Sequence, residues 1–144
     1  MAFLALFAGF LALNLFLSFI SEEQVVPIFF EDEFKDWRIA TPLLFNLLIA
    51  SPMVEEVLFR LLPIGIVSRI WGKENKIVLW SVIIISSVIF GLIHGSWRNI
   101  FLQGSVGIVL SMAFLKGGYL SSFIAHSYCN FLVTMVAIMK ILFF

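Results

Sequence analysis

At 144 residues, 62% apolar with 17 phenylalanines and a mean hydropathy of +1.10, the chain has too little polar surface to cover a soluble globule. Nine basic and nine acidic residues cancel, which excludes the positive excess of a nucleic-acid binder. A single cysteine, Cys129, excludes an intrachain disulfide and any thiolate-rich metal site. What remains is an integral membrane protein, one domain of helices packed in the bilayer.

A helix needs roughly 20 apolar residues to cross the hydrocarbon core. Five stretches meet that need, near residues 2–20, 40–70, 77–96, 99–115 and 119–140, so the expected fold is an all-α, polytopic transmembrane bundle of about five helices. Trp37, Trp71, Trp80 and Trp97 fall near segment ends, where an amphipathic ring prefers the interface. The first stretch lacks a basic start and a small-x-small cleavage site, which points to a retained anchor helix rather than a signal peptide. Residues 21–38 are the polar segment, with Glu22, Glu23, Glu31, Asp32, Glu33 and Asp36 against Lys35 and Arg38. A solvated linker is the simpler reading there, and a short surface helix presenting Phe30, Phe34 and Trp37 is the alternative. The division that follows is an anchor helix with an acidic linker over 1–38 and a helical core over 39–144.

Residues 40–70 are too long for one straight span, since roughly 1.5 Å per residue gives roughly 46 Å against a core of roughly 30 Å. Tilting or breaking is expected, with Pro52 and Pro63 as the sites. Basic residues do not orient the bundle: Arg69, Lys73, Lys76 and Lys116 on one side balance Lys35, Arg38, Arg98 and Lys140 on the other.

Within these spans lie Glu55, Glu56, Arg60, His94 and His126. Each intramembrane charge costs roughly 2.5 to 3.5 kcal/mol on insertion scales, so a retained cluster points to chemistry. Glu56 and Arg60 are four apart, the spacing and order of a favourable ion pair. Glu55 is rotated about 100° from Glu56 and is left free. Phe90 stands one turn before His94, with Gly91 and Gly95 expected to admit a close helix neighbour. His126 and Asn130 are likewise one turn apart, two hydrogen-bond donors suited either to an oxyanion hole or to joining helices.

Straight-helix arithmetic sets Glu55 and His94 roughly 24 to 27 Å from the 71–76 loop and His126 only about 10 Å beyond Tyr119. The groups then meet only if the Lys116-Gly117-Gly118 turn is recessed or the helix kinks. Weaker candidates are Ser96 without a Gly-x-Ser-x-Gly elbow, Cys129 as a thiol, and zinc on two histidines and a glutamate, for which the H-E-x-x-H spacing is absent.

Ser51-Pro52-Met53-Val54-Glu55-Glu56-Val57-Leu58-Phe59-Arg60, then Phe90 to His94, then His126 to Asn130, resemble in order the EExxxR, FxxxH and HxxxN motifs of the CPBP family. That family comprises the type II CAAX prenyl proteases and the bacteriocin-processing or self-immunity proteins called Abi, and its members are intramembrane glutamic endopeptidases. The resemblance covers about residues 40–140. It implies that Glu55 and His94 activate water, that His126 and Asn130 form the oxyanion hole, and that Glu56, Arg60 and Phe90 support the site, with no metal or other cofactor. One departure is that only a single span precedes the first motif, where many relatives have more, so a homodimer is one way to complete the substrate-binding walls.

The expected function is therefore hydrolysis of a peptide bond in a membrane-associated substrate, such as a CAAX-type C-terminus or a bacteriocin leader, by a multi-pass protein of the cell membrane. The expected partners are that peptide and the lipid bilayer, not nucleic acid. A non-catalytic bacteriocin self-immunity protein is the alternative. Proton-coupled transport ranks third, because no pair of broken helices repeats in two halves.

Overall fold

The computed structural model describes Phe34, residues 36–72, 74–95 and 99–143, with side chains up to residue 139. The expected anchor helix and most of the acidic linker lie outside those residues. Among the described residues every regular element is helical and none is a strand. They form two compact units, one of residues 51–126 and one of the described residues up to Ala50 together with those from Ser127 onward.

In the second of these units, helix α1 (Trp37–Phe45) starts where Asp36 caps it by accepting from the Arg38 amide at 2.9 Å. It leads into a π-helical turn, Asn46–Ala50. In that five-residue register the amide facing the Leu47 carbonyl would be that of Pro52, which has none. Asn130 Nδ2 donates to this carbonyl instead, at 2.8 Å.

Within residues 51–126, α2 (Ser51–Glu56) carries the paired acids and passes into a long π-helical segment, Val57–Gly65, then α3 (Ile66–Ile70). The π segment surrounds Pro63, whose ring removes the amide that would face the Leu58 carbonyl in this register and, in an α-helical one, the Phe59 carbonyl. Ser86 Oγ donates to the Phe59 carbonyl from the next helix, at 2.6 Å. Expected breakage at the prolines thus takes the form of widened turns, with donors borrowed from other helices.

Asn75 caps α4 (Lys76–Leu92), a nearly uniformly apolar helix whose Leu79 and Ile83 form a core with Ile64. Helix α5 (Asn99–Phe143) leaves helical geometry once, at Gly118, with φ 74° and ψ −168°. A positive φ of that size favours glycine, which explains why the break falls there. The two expected spans 99–115 and 119–140 correspond to the two sides of this break. Small residues let α4 and α5 touch: a side chain at Gly91 would lie 2.5 Å from the Asn99 carbonyl oxygen, and Gly104 and Gly107 close on Ser87. Gly95 does not serve this purpose. Its φ of 104° turns the chain after His94, with open space around it.

Beside an apolar core that includes Ile64, Ile83, Phe90 and Leu110, the interior holds polar groups and much of the surface is apolar. Glu56, Arg60, Ser86, Ser87, Ser111, Ser122 and His126 are buried, whereas Ile77, Ile85, Ile93, Leu120 and Ile124 are exposed. Apolar surface outside and polar groups inside is what a lipid solvent selects. Among the described residues, one helical region, Asn99–Met139, is long and apolar enough to cross a membrane, and Lys76–Leu92 is apolar but shorter.

Candidate active site

Adjacent in sequence, Glu55 and Glu56 occupy different surroundings because one residue rotates a helical side chain by about 100°. Glu56 is wholly buried, 3.2 Å from Arg60 Nη1 and 2.8 Å from His126 Nδ1. A carboxylate only accepts, so His126 Nδ1 carries the proton of that hydrogen bond. Arg60 is buried too, with its guanidinium carbon 4.4 Å from the centre of the Phe90 ring. Stacking on an aromatic face suits a buried guanidinium, which has lost its water.

Glu55 keeps 18% of its side-chain surface. Its Oε1 accepts from Ser51 Oγ, one turn earlier. Its Oε2 has no hydrogen-bond partner and stands 3.5 Å from His126 Nε2, beyond ordinary hydrogen-bond length. Arg60 thus pairs with Glu56 and not with Glu55, the split that helical spacing alone predicts; the second oxygen of Glu56 is likewise buried without a hydrogen-bond partner.

His94 lies in the turn that ends α4. Its Nδ1 is 2.7 Å from the Phe90 carbonyl oxygen, so Nδ1 holds the proton and Nε2 is left as an acceptor. Asn99 Nδ2 donates to the His94 carbonyl at 2.5 Å, which ties the turn to the start of α5. Phe90 is the common neighbour: its ring centre is 4.6 Å from that of His94, 5.7 Å from His126 and 5.4 Å from Phe59.

Glu55, Glu56, Arg60, Phe90, His94 and His126 therefore gather within residues 51–126. The imidazole facing Glu55 is His126 rather than His94; no hydrogen bond or ion pair joins Glu55 to His94 among the described residues. Asn130 belongs to the other unit, where one amide hydrogen is committed to Leu47. Tyr119, just past Gly118, donates its hydroxyl to the Met53 carbonyl at 3.0 Å, which ties the start of this helical stretch to the first turn of the acid helix. His126, two turns further on, then reaches both glutamates.

Ser51, Ser86 and Tyr119 were not singled out by sequence reasoning. For Ser51 a signal existed, its i, i+4 spacing to Glu55. Ser86 and Tyr119 act across helices on backbone carbonyls, which leaves no trace in spacing. Among the described residues no three His, Cys, Asp or Glu side chains group into a set able to hold a metal ion.

A profile of the type II CAAX prenyl endopeptidase Rce1-like family matches residues 4–132, and the chain belongs to that family. It is thereby a membrane protein of CAAX-protease kind, in agreement with the three-motif resemblance. Neither a curated protein nor a solved structure matches it significantly.

Proposed function

We propose that the protein is an intramembrane glutamic endopeptidase that hydrolyses a peptide bond with water activated by Glu55. The observation that carries this reading is the asymmetry of the two acids: Glu56 is wholly buried, with one oxygen shared by Arg60 and His126, while Glu55 makes no ion pair with Arg60 and keeps 18% of its side-chain surface. A water placed against Glu55 Oε2 and His94 Nε2 would give one hydrogen to each acceptor, turning an oxygen lone pair toward the scissile carbonyl. Glu55 takes the proton as the bond to carbon forms, and passes it to the leaving amine. Negative charge then builds on the carbonyl oxygen. His126 and Asn130 are the proposed donors to it, a contribution of about 3 to 4 kcal/mol each in comparable sites. Since His126 Nδ1 is committed to Glu56, its donation comes from Nε2 and requires the ring to carry both protons. Asn130 would use the amide hydrogen that Leu47 does not take.

The same reading includes a catalytic core over residues 39–144 and a five-span, multi-pass arrangement in the cell membrane. Length supports two spans within α5: its 45 residues would extend about 68 Å as one rod, twice a core of about 30 Å, and Gly118 divides it into pieces of span length. The proposed substrate is a membrane-associated peptide, a CAAX-type C-terminus or a bacteriocin leader, with no cofactor; a homodimer would supply further substrate walls.

Cleavage of a farnesylated CAAX peptide and of a leader-peptide fusion by the purified full chain, in lipid nanodiscs, tests the proposal. Glu55→Gln or His94→Ala should abolish it without loss of folded protein. Full activity in either variant would refute the assignment. Protection of cells against a bacteriocin by the double variant Glu55→Gln/His94→Ala would instead favour the immunity reading.

A further inference from the structure

Hydroxyl groups on helices usually bond back to a carbonyl three or four residues earlier in their own helix. Thr41, Ser68, Ser105, Ser111 and Ser122 do so here, to Trp37, Gly65, Phe101, Gly107 and Tyr119. Ser51 departs from this habit: its hydroxyl points forward along the helix and donates to Glu55 Oε1.

That contact has a chemical consequence. A carboxylate has two equivalent oxygens until something distinguishes them. Ser51 occupies Oε1, and Oε2 is left buried, without a hydrogen-bond partner, on the side of His126. The bond also limits rotation about the last torsion of Glu55, a broad and soft coordinate in a free glutamate.

We infer that Ser51 is a positioning residue for the proposed reaction, holding Glu55 by Oε1 so that Oε2 is the atom that takes the proton from water. This rests on the peptidase reading and adds to it a residue outside the three motifs. Ser51 touches neither water nor substrate in this scheme. Losing its hydroxyl would leave Glu55 present but free to turn, so the rate of the chemical step should fall while substrate binding stays the same.

Two readouts on the full chain in nanodiscs test it. The first is kinetics on a farnesylated, internally quenched CAAX peptide: Ser51→Ala should lower kcat roughly tenfold with KM unchanged, and Ser51→Thr, which keeps the hydroxyl, should recover most of the rate. The second needs no turnover. The infrared carboxyl band that disappears in Glu55→Gln should shift in Ser51→Ala and return in Ser51→Thr. Unchanged kcat in Ser51→Ala, or an unshifted Glu55 band, would overturn the inference. If the wild-type chain cleaves no peptide, the peptidase reading fails while the band still decides whether Ser51 holds Glu55.

Discussion

Two neighbouring patches of the same helix behave oppositely. Around Glu56, polar groups are sealed: the carboxylate, the Arg60 guanidinium and the His126 ring neutralise one another beneath the face of Phe90. Around Glu55, one residue away in sequence and rotated by about 100°, the carboxylate is held at one oxygen by Ser51, and the other stands 3.5 Å from His126 without a hydrogen bond. The difference teaches that the Arg60 ion pair accounts for one acid and leaves the second with only Ser51 and the edge of His126 beside it. A second acid without a guanidinium partner adds a cost of a few kcal/mol in a lipid-embedded chain, which is why the proposed chemistry is assigned to Glu55.

The contrast can be broken most violently on the sealed side. Arg60→Ala strands the Glu56 carboxylate without its guanidinium and should destabilise the protein by about 3 to 5 kcal/mol, read by thermal unfolding in detergent. Survival of Arg60→Ala with wild-type unfolding would mean that the pair is not structural. Next in size is the helix contact that holds the His94 turn. Gly91→Ala pushes a methyl group into the Asn99 backbone and should cost about 1 to 3 kcal/mol, with faster proteolysis near residue 95 as an independent sign. Ser86→Ala removes the donor to Phe59 O beside Pro63 and should cost about 1 kcal/mol; a smaller loss in a Pro63→Ala background would tie the serine to the proline's missing amide. Smallest is the effect of metal removal. With no three-ligand group among the described residues, treatment with a strong zinc chelator should leave cleavage within about twofold; loss restored by zinc alone would contradict the metal-free scheme.

Much of the sealed patch was legible because it is local. Glu56 and Arg60 sit at i and i+4, Phe90 and His94 likewise, and helical geometry translates such spacing directly into contact. Glu55 was legible by subtraction. The neighbour of Glu55 was not: the imidazole 3.5 Å from it is His126, from a helix far along the chain, while the expected pairing with His94 through a shared water is part of the proposed mechanism. Straight-helix arithmetic made His126 too shallow because it treats each segment as an unbroken rod, whereas the chain widens at Asn46–Ala50 and Val57–Gly65 and leaves helical geometry at Gly118. Nor did the π-helical segments announce themselves. In a run as uniformly apolar as Val57–Gly65, the hydrophobic pattern does not distinguish one helical period from another, and only the prolines hinted at irregular backbone. Asn130 bonds to Leu47 through the same kind of cross-helix carbonyl contact that hid Ser86.

A side-by-side comparison of Glu55→Gln and Glu56→Gln in one nanodisc preparation tests the central claim most directly, with cleavage of the farnesylated CAAX peptide and thermal unfolding measured on each. The account predicts that Glu55→Gln loses cleavage by about a thousandfold or more while unfolding as the wild type does, and that Glu56→Gln loses stability. Retained cleavage in Glu55→Gln, or a stability loss in it equal to that of Glu56→Gln, would contradict the account.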